Sequence, residues 1–148
     1  MGIGEITMKF LYSVFLLFSS LLIVGCQNMQ DNTMILLDEE IKEINLSKSG
    51  GIGDMNQDFI KSLQDKESIK VMEKAIRTAV KQSSDIGNSN PDYDVMVEYD
   101  EGFPTHAIHL WLGEENENST LMYMVGEGET YLTSSNTTNQ LRELLLSE

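Results

Sequence analysis

A single cysteine, Cys26, is the residue whose surroundings predict the most specific chemistry. It follows an apolar run, residues 10–24, and the sequence Ile23-Val24-Gly25-Cys26 matches the bacterial lipobox. In that pattern the thiol accepts a diacylglycerol, and a peptidase then cleaves between Gly25 and Cys26. The sequence therefore predicts a covalent lipid on Cys26 and gives no sign of any other cofactor.

The residues before Cys26 have the features of a secretory signal. The apolar run is about 15 residues long, whereas a membrane-spanning helix needs about 20. Lys9 supplies the preceding positive charge, and Met8 is a better start than Met1 because the stretch between them contains Glu5. We predict a signal within residues 1–25, with translation starting at Met8, followed by a lipidated tether over 26–39 and one extracytoplasmic domain over 40–148. An alternative for the apolar residues 34–37 is a first strand.

The charge of the chain limits its partners. The net charge at pH 7 is −14, and removing the signal leaves it unchanged because only Lys9 and Glu5 are lost. Such a chain has too few cations to neutralise phosphates, so nucleic acid is excluded as a partner. Anionic lipid also repels it, so the membrane partnership depends on the acyl chains, two of which anchor far better than one. We expect a lipid-anchored protein on the extracytoplasmic side of the cell membrane.

Histidine and carboxylate residues give little indication of catalysis. His106 and His109 lie three apart on a predicted strand and point to opposite faces, so they cannot share a metal ion. No Gly-x-Ser-x-Gly motif is present. We therefore predict no catalytic residues and no metal site. An alternative is a cell-envelope hydrolase that uses carboxylates such as Asp94 and Glu98.

The pattern of apolar residues predicts an α+β fold. Helical spacing over 65–82 and after Ser134 or Ser135 predicts two helices, and Asp65 is placed to cap the first. Alternating apolar residues predict strands elsewhere. The order is ββαββββα, a small antiparallel sheet of five to six strands packed by two helices. The predicted strands cover residues 41–48, 57–63, 92–99, 105–112, 121–125 and 130–133.

One face of this sheet is predicted to bind a partner. If the alternating aliphatic residues face the helices, the opposite face carries thioether and aromatic side chains that suit an adaptable binding surface. The alternative is that another element covers this face, and copper capture by its methionines and histidine is a weaker hypothesis. The candidate residues are Met96, His109, Trp111, Met122 and Met124.

The sequence resembles the YhfM-like lipoproteins of Bacillus-type Firmicutes. The resemblance is carried by residues 92–99 (DYDVMVEY) and 104–112 (PTHAIHLWL) and continues through 119–123, 130–133 and 140–144. It implies a Gram-positive membrane lipoprotein with one small extracytoplasmic domain, and it supplies no catalytic residues. Our leading hypothesis is a non-catalytic domain that binds a cell-envelope protein or peptide. A hydrolase and a metal-binding lipoprotein are the alternatives.

Overall fold

The structure is a computed structural model that describes residues 32–100 and 102–147, together with Gly2 and Gly4. The predicted signal, the cleavage site after Gly25 and the lipidated Cys26 lie outside the described residues. The chain divides into two compact units, Met1–Asp31 and Asn32–Glu148. Within the described part, no helix has both the length and the apolar character that crossing a bilayer requires.

The second unit contains seven strands and two helices. Two strands precede the first helix, five follow it, and the second helix ends the chain. The strands are β1 (Ile41–Lys48), β2 (Phe59–Leu63), β3 (Val80–Lys81), β4 (Tyr93–Tyr99), β5 (His106–Trp111), β6 (Thr120–Tyr123) and β7 (Thr130–Leu132). The helices are α1 (Lys66–Thr78) and α2 (Ser135–Leu146).

The seven strands form one sheet in the order β2-β1-β4-β5-β6-β7-β3. Every pair is antiparallel. The α+β prediction is confirmed, with a strand count slightly above the predicted five to six. Because neighbouring strands from β4 to β7 are joined by short hairpins, the connections 100–105 and 124–129 lie at the same end of the sheet. We call this end the tip end.

Helix α1 begins as the sequence predicts and ends earlier. The Asp65 side chain accepts a hydrogen bond from the Ser68 N–H, which satisfies an amide that the first turn leaves free. The predicted helix continued to residue 82, but α1 ends at Thr78, and β3 follows at once. β3 pairs with β7, with Val80 opposite Leu132. The sheet edge offers these residues backbone partners on β7, so tertiary pairing overrides the helical pattern.

The hydrophobic core lies between the sheet and the helices. From α1 it includes Met72, Ala75 and Ile76, and from α2 it includes Leu141. The strands contribute the aliphatic and aromatic residues that alternate along them, as predicted. They include Ile44, Leu46, Tyr93, Val95, Val97, Tyr99, Ile108, Leu110, Leu121 and Tyr131.

Residues 33–37, which we call the N-terminal strap, extend the folded unit beyond its predicted start at residue 40. Thr33 forms a β-bridge with Val80, and the Met34 N–H donates to the Ala79 carbonyl. Met34 and Leu36 are 2% and 3% exposed. The prediction that residues 26–39 form a tether is therefore wrong for the strap, because its apolar side chains complete the core.

Candidate functional site

The five candidate residues share the face of the sheet opposite the helices, as predicted; we call it the second face. The strand register places Asp94 opposite His109 and His109 opposite Met122. Met96 pairs with Ala107 two positions along, and Trp111 pairs with Thr120. Met124 donates its N–H to Ala107 at the end of the same row. Directly paired residues of antiparallel strands point to the same side.

The expectation that this face is open to solvent is wrong for its centre. His109 is 0% exposed, Met122 6% and Trp111 9%, while Met96 and Met124 are partly buried. Two long connections contact the centre of the face. The Trp111 indole N–H donates to the Ser89 carbonyl in the β3–β4 connection, and the Gly53 N–H in the β1–β2 connection reaches His109. At the centre of the second face, the structure therefore matches the alternative prediction, in which other elements cover the face.

Beneath the β1–β2 connection lies a fully buried pair, Asp94 and His109. The Nδ1 atom of His109 is 2.9 Å from Asp94 Oδ1, and the second carboxylate oxygen accepts the Asn56 N–H at 2.9 Å. The Gly53 N–H donates to His109 Nε2 at 3.2 Å. The Trp111 ring packs edge-on against the imidazole with centroids 6.0 Å apart. Every polar atom of the pair is thus engaged within the fold.

These hydrogen bonds assign the ring proton of His109. A backbone N–H can only donate, so Nε2 accepts from Gly53 and carries no proton. The single ring proton is therefore on Nδ1 and is donated to Asp94. A general base needs a free Nε2 facing substrate, and here Gly53 occupies that atom. With both ring nitrogens and both carboxylate oxygens bonded, the Asp94–His109 pair holds the β1–β2 connection against the sheet.

The nearest hydroxyl does not complete a nucleophilic triad. Ser47 lies opposite Asp94, on the side away from His109, and is fully buried. Its Oγ donates to the Asn56 carbonyl at 2.5 Å. Since the order across the strands is serine, aspartate, histidine, the imidazole does not lie between the hydroxyl and the carboxylate as a serine triad requires.

The carboxylates of the hydrolase hypothesis are also poorly placed. Asp94 and Glu98 lie on one face of β4, four residues apart, which separates their backbone positions by roughly 13 Å. Paired glycosidase carboxylates lie about 5 to 10 Å apart. Glu98 accepts a hydrogen bond from Asn45 Nδ2 at 2.8 Å. Among the described residues, no group of three or more histidine, cysteine or acidic side chains is placed to hold a metal ion.

A second polar cluster lies at the tip end, on the helix side of the sheet. We call Tyr99, His106, Tyr123 and Tyr131 the tyrosine cluster. Successive ring centroids are 5.7, 6.2 and 5.9 Å apart. The Tyr99 hydroxyl lies 3.1 Å from His106 Nδ1 and accepts the Leu37 N–H at 3.2 Å. Burial raises the pKa of both Tyr99 and Tyr123 above the usual value for tyrosine.

The tyrosine cluster holds the N-terminal strap in place. The Tyr123 hydroxyl accepts the Ile35 N–H at 2.6 Å and donates to the Ile35 carbonyl at 2.7 Å. Arg77 of α1 donates to the Leu37 carbonyl at 2.7 Å. Each of these hydrogen bonds satisfies a backbone group of the strap. Together they hold the first residues of the folded unit against the sheet and α1.

The pKa of His106 predicts a pH dependence of stability. Burial first, and then the positive charge of Arg77, lowers this pKa below its usual value. The unfolded chain therefore takes up a proton at a higher pH than the folded chain does. The contribution is fully present above about pH 6.5 and is lost as the pH falls through the lower folded pKa. We expect the His106→Gln variant to lose less stability than the wild type between pH 7 and pH 5.

Urea unfolding at several pH values measures this difference. If the stabilities of the wild type and His106→Gln fall in parallel with pH, the pKa of His106 is the same in the folded and unfolded chains, which would contradict this prediction.

The sequence did not reveal the Asp94–His109 pair or the role of His106. The pairing depends on the six-residue connection 100–105, because a connection one residue longer or shorter would bring a different residue opposite Asp94. One sequence feature could have indicated the pair: the polar residues Asp94 and His109 lie on the same predicted face of one hairpin. The binding of the strap by tyrosine hydroxyls has no local sequence signal.

The fold and these clusters define a small α+β domain whose second face is covered at its centre. The chain belongs to the YhfM family, whose model, described as YhfM protein, matches residues 29–148. A solved structure of a thioesterase-like protein from Clostridium sporogenes is also similar, with 16% identity and a TM-score of 0.54. That match covers 73% of this chain and 96% of the other. At this identity the likeness concerns the fold alone. The search of curated proteins gave no match.

Proposed function

We propose that this protein is a lipid-anchored extracytoplasmic lipoprotein whose folded domain binds a cell-envelope protein or peptide and does not catalyse a reaction. The observation that carries the anchoring is the sequence Ile23-Val24-Gly25-Cys26 after an apolar run, with no other cysteine in the chain. The folded unit begins at Asn32, only a few residues later. This arrangement suits a domain held close to the membrane by lipid on Cys26.

The geometry of the second face supports a non-catalytic role. His109 has both ring nitrogens engaged, one by Asp94 and one by Gly53. The described surface also offers a feature for a peptide partner. β2 lies at an edge of the sheet and exposes Phe59 and Ile60, and an exposed strand edge can accept an extended peptide through backbone hydrogen bonds.

Thioester hydrolysis is the second candidate, because the chain shares its fold with a thioesterase-like protein and contains the buried Asp94–His109 pair. It requires the β1–β2 connection to leave His109 Nε2. We expect the purified domain to hydrolyse acyl thioesters of short and long chain no faster than buffer alone. Turnover above that background would favour the enzyme.

The anchoring is tested by the Cys26→Ser variant. Without the thiol no diacylglycerol can be attached, so we expect the protein to move from the membrane fraction to the soluble fraction or the medium. Carbonate-washed membranes, probed with an antibody to the domain, measure the distribution. Ser20→Ala, within the apolar run, is the matched control and should remain with the membrane. A Cys26→Ser protein that resists the carbonate wash would contradict the proposal.

A further inference from the structure

The tip end of the sheet exposes apolar side chains on separate connections. Phe103, in the β4–β5 connection, is 43% exposed, and Val125, in the β6–β7 connection, is 89% exposed. Ile35 of the N-terminal strap is exposed beside Tyr123. Burying such residues in an apolar environment is favourable, so an apolar medium at this end of the domain would stabilise all three.

The covalent chain limits how far this end can be from the lipid. The described domain begins at Asn32, and Cys26 lies six residues earlier. A fully extended chain spans at most about 3.6 Å per residue, so the Cα atom of Cys26 is at most about 22 Å from that of Asn32. Asn32 itself adjoins the tip end, because Thr33 pairs with β3 and Ile35 already lies on Tyr123.

We propose that the tip end is a membrane-contacting surface, with Phe103 and Val125 entering the boundary between lipid headgroups and acyl chains. The inference rests on the proposed lipid anchor, which holds the domain near the bilayer. The lipid then supplies most of the affinity, and the two side chains orient the domain with the β5–β6 connection pointing away from the membrane.

The neighbouring charges restrict the depth and the lipid composition of this contact. Exposed Asp100 lies three residues before Phe103, and exposed Glu127 lies two residues after Val125. Carboxylates remain in the hydrated headgroup region, so the contact reaches only the upper 5 to 10 Å or so of the bilayer. Anionic lipids repel both carboxylates, and we therefore expect a closer contact with zwitterionic phosphatidylcholine than with phosphatidylglycerol.

Spin labels on the intact lipoprotein test this proposal. The Cys26 sulfur is occupied by lipid, so one introduced cysteine gives one labelled site. Phe103→Cys and Val125→Cys place the label at the tip end, and Glu115→Cys places it in the exposed β5–β6 connection as the matched control. Each lipoprotein is reconstituted into phosphatidylcholine vesicles, and flotation confirms that it is bound.

We expect labels at 103 and 125 to be more accessible to oxygen than to a nickel chelate, and the label at 115 to show the reverse. Addition of phosphatidylglycerol should reduce the difference. Floating protein with all three labels equally accessible to nickel would overturn the membrane contact and leave the lipid anchor intact. Dipolar broadening between labels would assign the tip end to a second copy instead. Protein that does not float would overturn both the contact and the anchor.

Discussion

The Asp94→Ala variant is expected to lose about 2–4 kcal/mol of unfolding free energy, because two N–H groups lose the buried carboxylate that accepts their hydrogen bonds. The loss has two sources. The Nδ1–H of buried His109 and the N–H of half-buried Asn56 both donate to this carboxylate, and both would lose their acceptor. Each unsatisfied buried group costs about 1–3 kcal/mol. Urea unfolding followed by circular dichroism measures the change.

Asp54→Ala provides the matched control for this variant. Asp54 lies in the same β1–β2 connection but is exposed, so its removal should change the free energy by less than about 0.5 kcal/mol. Hydrogen exchange gives a second readout. The amides of Gly53 and Asn56 should lose protection in Asp94→Ala. The Asn56 N–H loses its acceptor, the Asp94 carboxylate, and the Gly53 N–H loses a fixed acceptor because His109 is no longer held by Asp94. Equal stability of the two alanine variants would contradict the account of the buried pair.

A chain that begins at residue 40, the predicted domain start, is expected to lose its cooperative fold. It lacks the strap, including the buried side chains of Met34 and Leu36. Loss of each buried side chain costs about 2–5 kcal/mol, which together approaches the whole stability of a small domain. A chain that begins at Asn32 should unfold in one sharp transition. Thermal unfolding of the two truncated chains measures the difference.

Single substitutions within the strap separate packing from chain length. Met34→Ala and Leu36→Ala should each destabilise the chain from Asn32 by about 2–5 kcal/mol, and Ile35→Ala, at a position 57% exposed, by much less. The three residues are consecutive and apolar, so differences in stability among their alanine variants reflect how deeply each side chain is buried. A chain from residue 40 that folds as stably as the chain from Asn32 would contradict the assignment of the strap to the core.

Most secondary structure could be predicted because its signals are local. The alternation along residues 92–99 predicted β4 to within one residue of its observed start, and the Asp65 cap predicted where α1 begins. The shared face of His109, Trp111 and Met122 follows from the same alternation. The end of α1 could not be predicted, since Val80 continues the helical pattern and only the partner strand β7 makes it a strand.

The covering of the second face could not be predicted for a different reason. The β1–β2 connection is rich in glycine and has no periodicity, so its sequence predicts only a loop. Its position is determined by hydrogen bonds from Gly53 to His109, 56 positions later in the chain, and from Asn56 to Asp94, 38 positions later. The strap is similar, because its short apolar stretch indicates burial without indicating which surface receives it.

The mass of the N-terminal peptide of the mature protein tests the central claim most directly. Trypsin should release residues 26–42, because Lys42 is the first basic residue after Cys26. This peptide should begin at Cys26 and carry the added mass of a diacylglycerol on sulfur. An unmodified peptide, or one that extends through Gly25 into residues before it, would contradict the lipid anchor.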